Sequence, residues 1–173
     1  MYFQSVESAH DPNLDYVFKL YTSAFPVQER RDWPQLLGII GNTSEMDLKL
    51  ILVGDQIIGF VILWHLQGWD YIEHFAVDPQ QRGKRYGEQV MQILLKGNRL
   101  ILEVEPPETT DAVRRIRFYE KLGLCCLGVP YQQPCYREPE KEYRLILMSN
   151  YPHESPDVYL QIIEEIKRKV YGR

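Results

Sequence analysis

The 173-residue chain has only three cysteines, Cys125, Cys126 and Cys135, two of them adjacent. An odd count at that spacing is neither a disulfide framework nor a metal-ligand pattern, so free thiols in a reducing cytoplasm and no metal are expected. Long apolar runs are also missing. None approaches the ~20 residues needed to span a bilayer, and no secretory leader is visible, so no membrane association is expected. Charge of one sign is not in excess: 20 basic against 24 acidic side chains leave a formal net charge of −4. That balance argues against nonspecific nucleic-acid binding as the main task. There is no internal repeat and no low-complexity segment.

What remains is ordinary for a globular domain, with 45% hydrophobic and 25% charged residues and enough chain for one real core. Residues 6–173 are expected to form a single domain, with a core at 48–148 and a C-terminal helix at 155–171. Met1 to Ser5 reads like the remnant of a protease-cleavable expression tag and is expected to stand outside the fold.

Apolar residues at Leu14, Val17, Phe18, Tyr21 and Phe25 recur at helical spacing, and Pro26 ends that helix. After the charged link Glu29-Arg30-Arg31, a short helix carries Trp33, Leu36, Leu37 and Ile40 and closes at Gly41-Asn42. Leu48 to Val53 and the nearly all-apolar Ile57 to Trp64 read as hairpin strands around Gly54-Asp55. A turn at Gln67 to Asp70 leads into a third strand at Tyr71 to Val77. Asp78-Pro79 stops it, and the basic turn Arg82-Gly83-Lys84-Arg85-Tyr86-Gly87 follows. A helix burying Val90, Met91, Leu94 and Leu95 comes next, with Gly97 as its C-terminal cap. A strand at Leu100 to Val104 then implies a right-handed crossover and a parallel pair. Thr109, Thr110 or Asp111 caps a helix ending at Gly123. Leu124 to Val129 and Tyr143 to Met148 are expected strands, and Tyr131 to Lys141 a polar loop. Ser155-Pro156 opens the last helix, with Tyr159, Ile162, Ile163, Ile166 and Val170 on one face.

The strand, basic turn and helix at Tyr71 to Lys96 form the arrangement that binds a pyrophosphate. Backbone N–H groups of the turn converge on one anion, Arg82, Lys84 and Arg85 add charge, and the helix dipole presents its positive end. This stretch resembles the central motif of the GCN5-related N-acetyltransferases, the GNAT superfamily. Their pattern is Arg or Gln, two residues, Gly, one residue, then Gly or Ala, after a strand ending Val-x-Pro. Arg82 matches the first position and Gly87 the last, whereas Arg85 stands at the usual Gly. Phe118-Tyr119-Glu120-Lys121-Leu122-Gly123-Leu124 is similar to the family's Phe-Tyr-x-Lys-x-Gly-Phe, while Ala112 stands where many members carry Asn.

The resemblance implies an α/β (α+β) GNAT acyl-CoA N-acyltransferase fold, a mixed, mainly antiparallel splayed sheet flanked by helices. It implies acetyl-CoA as co-substrate, a small-molecule or peptide amine acceptor, direct attack in a ternary complex, a cytoplasmic location, and a monomer or homodimer. The alternative is a non-catalytic acyl-CoA-binding module on the same fold. A nucleotide-binding domain of another kind fits less well, because antiparallel strands precede the turn.

Cofactor-binding residues are expected at Phe75, Ala76, Val77, Arg82, Gly83, Lys84, Arg85, Tyr86 and Gly87. A backbone N–H of Phe75, Ala76 or Val77 is the expected oxyanion donor. Glu73 is the expected general base, because a carboxylate in an apolar strand has its pKa lifted toward a useful value and because it matches a family position. By family analogy Tyr119 protonates the departing thiolate. His74 faces the opposite side of the strand by two-residue alternation, unless the strand bulges. Arg114, Arg115 and Arg117 form a basic cluster, and Tyr131, Gln132, Tyr136, Trp33 and Trp69 are candidate linings of the acceptor pocket.

Overall fold

The computed structural model describes residues 1–138 and 140–173. In chain order its elements are β1 (Tyr2–Ser5), α1 (Leu14–Ala24), α2 (Trp33–Ile39), β2 (Met46–Val53), β3 (Gln56–Leu66), β4 (Trp69–Val77), α3 (Tyr86–Leu94), β5 (Leu100–Val104), α4 (Thr110–Lys121), β6 (Cys125–Cys126), β7 (Gln132–Pro134), β8 (Glu142–Arg144), β9 (Ile146–Ser149) and α5 (Pro156–Glu165). Among the described residues, seven strands make one mixed sheet in the order β1-β2-β3-β4-β5-β9-β6, and β7 pairs with β8 beside it. Every pair in the large sheet is antiparallel except β4–β5. This is the expected GNAT fold.

β3 is apolar along its length because both its faces are covered. Phe60, Ile62, Trp64 and Leu66 enter one core with α1, α2 and α5. Val61 and Leu63 enter the other with α3 and α4. An 11-residue helix such as α1 is marginal by itself. Burial of Leu14, Val17, Leu20 and Tyr21 holds it, at about 1.5–3 kcal/mol for each large apolar side chain.

The sheet opens at one place. β4 and β5 pair in parallel only from Asp70 to Ile72 against Leu100 to Leu102. Beyond Ile72, β4 continues along β3 as far as Val77, while β5 leaves with β9 as far as Val104. A wedge-shaped cleft lies between the two.

Local differences from expectation have physical causes. Tyr2–Ser5, expected outside the fold, pair with Lys49 to Leu52 along the free edge of β2, and Phe3 packs on the second core. The strand expected at Leu124 to Val129 shrinks to β6, because Gly128 takes a positive φ of 66° and Pro130 offers no N–H. The loop expected at Tyr131 to Lys141 contains β7; Pro139 within it lies outside the described residues. The strand expected at Tyr143 to Met148 divides at Leu145 between the two sheets. The terminal helix widens after Glu165 into a π-helical segment, Ile166–Tyr171, and its expected apolar face is buried in the first core.

Candidate active site

The cleft begins at a β-bulge. Leu63 pairs with Ile72 and Ile62 with His74, so Glu73 is an extra residue opposite none. The bulge cancels one step of alternation. Glu73 and His74 therefore project to the same face, with His74 Nδ1 3.8 Å from Glu73 Oε1.

Glu73, the base expected from sequence, is fully enclosed and hydrogen-bonded. Its side chain has 0% exposure, and both oxygens are occupied. Oε1 accepts from Arg31 Nε at 2.8 Å and from the Tyr136 hydroxyl at 2.7 Å. Oε2 accepts from Trp64 Nε1 at 2.6 Å. Burial alone would lift its pKa, but Arg31, then His74 and the Trp64 and Tyr136 donors, more than reverse that and leave it below the usual carboxylate range. A carboxylate held ionised in this way takes up a proton poorly. It anchors Arg31, which also donates to the Val170 carbonyl.

His74 is buried between Phe25 and Tyr21, ring centroids 4.5 and 4.9 Å away. Its Nε2 donates to the Glu29 carbonyl at 2.9 Å, and Nδ1 has no hydrogen-bond partner among the described residues. Burial lowers its pKa, with Glu73 and the Glu29 carbonyl opposing.

Glu103 on β5, one residue past the last β4–β5 pair, faces the same space. The Tyr131 hydroxyl donates to its Oε1, and Gln133 Nε2 to its Oε2 at 2.6 Å. The Tyr171 hydroxyl lies 3.2 Å from Oε2. Burial pushes its pKa up to about 7, although these neutral donors pull it back. Sequence reasoning missed it, yet the signal that selected Glu73 was present: Glu103 is the single charged side chain of Leu-Ile-Leu-Glu-Val.

Two adjoining cavities fill the cleft. One, of about 390 Å³, is walled by Phe75, Ala76, Val77, Arg82, Arg115 and Tyr119. The other, of about 240 Å³, is walled by Glu29, His74, Glu105, Gln133 and Leu145. Ala24, Phe25, Glu73, Glu103 and Arg115 belong to both walls. The Asp78 N–H donates to Ile58 O across to β3 at 2.8 Å. Main-chain groups alternate sides along a strand, so Ala76 also faces β3. Consistent with this, a Cβ on Gly59 would meet Ala76 O at 2.3 Å. The amides of Phe75 and Val77 are the ones turned to the open edge.

Tyr119, on α4, lines the larger cavity. Burial pushes its pKa up to about 12, with Arg115 opposing, so it is a protonated donor at neutral pH. The basic turn joins β4 to α3. Asp78 accepts from the Gln80 N–H at 2.8 Å and starts a 3-10 turn, Pro79–Gln81. Lys84 Nζ donates to Gln81 at 2.8 Å, and Gly83 has a φ of 80° with open space where a Cβ would stand.

Residues 47–123 match the family model for an acetyltransferase (GNAT) domain. Over 100% of this chain and 99% of the other, the structure superposes on a protein placed in the GNAT acetyltransferase family from Bacteroides thetaiotaomicron, with a TM-score of 0.93 and 27% identity. Residues 47–123 match a GNAT domain, and the whole chain takes the GNAT fold. Two more distant structures share the fold. The ribosomal-protein-S18-alanine N-acetyltransferase of Escherichia coli has a TM-score of 0.59 and 18% identity over 86% of this chain and 91% of that one. Arabidopsis thaliana NAA60 in complex with acetyl-CoA has a TM-score of 0.61 and 14% identity over 86% and 96%. No curated protein matches the sequence.

The chain departs from the usual GNAT motif at Arg85, and the structure gives the backbone reason for the usual glycine. Arg85 caps α3 with φ 57° and ψ 23°, the left-handed region that favours glycine. Gly87 is not so constrained; a Cβ there would meet only Phe118 at 3.7 Å. Of the basic cluster, Arg115 turns into the cleft and pairs with Glu105. Arg114 pairs with Asp111 at 3.1 Å on the exposed face. Of the candidate pocket linings, Tyr136 and Tyr131 hold the two buried carboxylates. Trp33 packs on Phe18 and Trp69 on Arg99, away from the cleft, and Gln132 is exposed. Arg31, Trp64, Gln133 and Tyr171 had no local sequence signal.

Proposed function

We propose that this GNAT protein transfers an acetyl group from acetyl-CoA to a primary amine by direct attack in a ternary complex. The observation that carries the reading is the open edge between β4 and β5, with free amides at Phe75 and Val77 on one side and the protonated Tyr119 hydroxyl across the same cavity. The residues present suit the co-substrate. The turn Arg82-Gly83-Lys84-Arg85-Tyr86-Gly87 with the N-terminus of α3 suits the pyrophosphate, and the strand edge suits the pantetheine amides. Phe75 or Val77 N–H stabilises the oxyanion as the carbonyl is attacked. Tyr119 gives its proton to the departing sulfur. Glu73 positions Arg31, Trp64 and Tyr136 as a fixed wall. Related structures differ in acceptor: one is an S18-alanine N-acetyltransferase, another a spermidine/spermine N-acetyltransferase from Vibrio cholerae. A small-molecule or peptide amine fits the smaller cavity's acidic wall.

A non-catalytic acyl-CoA-binding module is the second reading, favoured by the strained Arg85 and by the lock on Glu73. Thermal melting with coenzyme A, acetyl-CoA and NAD, followed by thiol release with amine acceptors, separates the two. Ligand at ~100 times its Kd adds about 2.7 kcal/mol of stability. A shift with the coenzyme A compounds and thiol release supports transfer. A shift without release supports the binding module, and no shift refutes both.

A further inference from the structure

Glu29 closes a short 3-10 turn, Val27–Glu29, between α1 and α2, and it walls the smaller cavity. The other carboxyl groups of that wall are engaged. Glu73 pairs with Arg31 and Glu105 with Arg115. Both oxygens of Glu103 accept from neutral donors, Tyr131 and Gln133. Among the described residues the half-buried Glu29 carboxylate has neither a hydrogen bond nor an ion pair. Burial, then the Glu105 charge, raises its pKa, with Arg115 opposing. A carboxylate out of bulk water without a partner is unfavourable.

A second group in the same wall is also unmet. The His74 side chain is 3% exposed. Its Nε2 donates to the Glu29 carbonyl, so Nδ1 carries a lone pair, and no donor among the described residues reaches it. The same bond fixes the Glu29 backbone beside the His74 ring. A buried acceptor left without a donor costs free energy. An ammonium group, with three N–H donors and one positive charge, meets both needs. Phe25, Pro26, Val104 and Leu145 supply apolar wall around these polar groups, in a space of about 240 Å³. That surface suits an alkyl spacer.

Neither Glu29 nor His74 belongs to the larger cavity, where Tyr119, Phe75 and Val77 stand. A cation at Glu29 is therefore a different group from the nitrogen that is acetylated. We propose that Glu29 holds the distal ammonium of an aliphatic diamine or polyamine, with His74 Nδ1 accepting an N–H from the same end, so that the acceptor enters as a dication. The site's place in catalysis rests on the acetyl-transfer reading; its binding of a dication does not.

Isothermal titration calorimetry of the full chain, with and without coenzyme A, compares putrescine with n-pentylamine, in which a methyl replaces one ammonium, and with aminobutanol, in which a hydroxyl does. Putrescine should bind roughly 10–100-fold more tightly than either, the range for hydrogen bonds to a charged group. Equal affinities, or no putrescine binding, overturn the proposal. Glu29→Gln should remove the preference and Glu29→Asp should retain part of it; a preference that survives Glu29→Gln overturns the role of Glu29. An unchanged melting temperature shows that both variants are folded. Thiol release from acetyl-CoA gives the second readout. The putrescine-to-n-pentylamine ratio of kcat/KM should fall by roughly 10–100-fold in Glu29→Gln, through KM. A constant ratio with both rates lowered makes Glu29 structural and overturns the subsite. Glu29-dependent binding without thiol release from any amine overturns acetyl transfer and leaves the dication site standing. Thiol release with no preference for the diamine overturns the site and leaves acetyl transfer standing.

Discussion

Replacing Arg31 by methionine tests the electrostatic centre of the cleft. The substitution keeps apolar bulk and removes one charge. Glu73, with 0% side-chain exposure, would keep only the neutral donors Trp64 and Tyr136. Removing one partner of a buried ion pair costs about 3–5 kcal/mol, because the other charge stays buried and uncompensated. Arg31 also lies 4.8 Å from the centroid of the Tyr136 ring, a contact worth about 1 kcal/mol. For a chain of this length 1 kcal/mol moves Tm by about 2–4 °C, so a fall of roughly 8–24 °C is expected. Urea denaturation followed by tryptophan fluorescence gives the free energy directly, and Trp64 reports on the carboxylate it touches. The pH dependence has a definite sign. Glu73's pKa is depressed in the fold, so its contribution is present above the unfolded value of about 4.3 and lost as pH falls through the folded value. Arg31→Met should flatten that acid-side loss, and adding Glu73→Gln should recover most of the stability, because an amide needs no counter-charge. A cost below about 1 kcal/mol, as for an exposed pair, or no recovery in the double variant, refutes the account.

Tyr119→Phe should lower kcat by roughly 10²–10⁴-fold with coenzyme A affinity unchanged; near-normal turnover would return Tyr119 to a packing role. Arg85→Gly should relieve about 1 kcal/mol of left-handed strain, partly offset by the freer unfolded chain. A net gain of under ~1 kcal/mol in urea melts is thus expected, and a loss would refute the strain. Gly59→Ala should destabilise by about 1–3 kcal/mol and weaken acetyl-CoA binding, because its Cβ would meet Ala76 O at 2.3 Å on the β4 wall. Unchanged melting would mean that β4 shifts freely there.

Much of the fold was legible because local rules coincide along the chain. The apolar run of β3, the period of α1 and the stop at Asp78-Pro79 each act within a few residues. The small elements near the cleft were less legible. β7 and β8 hold only three residues each, too few to show alternation, and the β4 bulge exists only as a register against β3.

The sequence by itself determined the strand, turn and helix at Tyr71 to Lys96, the helix bearing Tyr119, and the presence of carboxylates in apolar strands. Tertiary structure alone decided which carboxylate has its pKa lowered and which has it raised. Glu73 and Glu103 look alike in sequence, each a carboxylate in a largely apolar strand. Arg31, 42 residues away, reaches Glu73, whereas phenols and an amide surround Glu103, with Tyr171 68 residues distant. Desolvation is common to both and foreseeable from a strand pattern. The sign of the final shift depends on the partner that folding delivers, and that partner lies far along the chain.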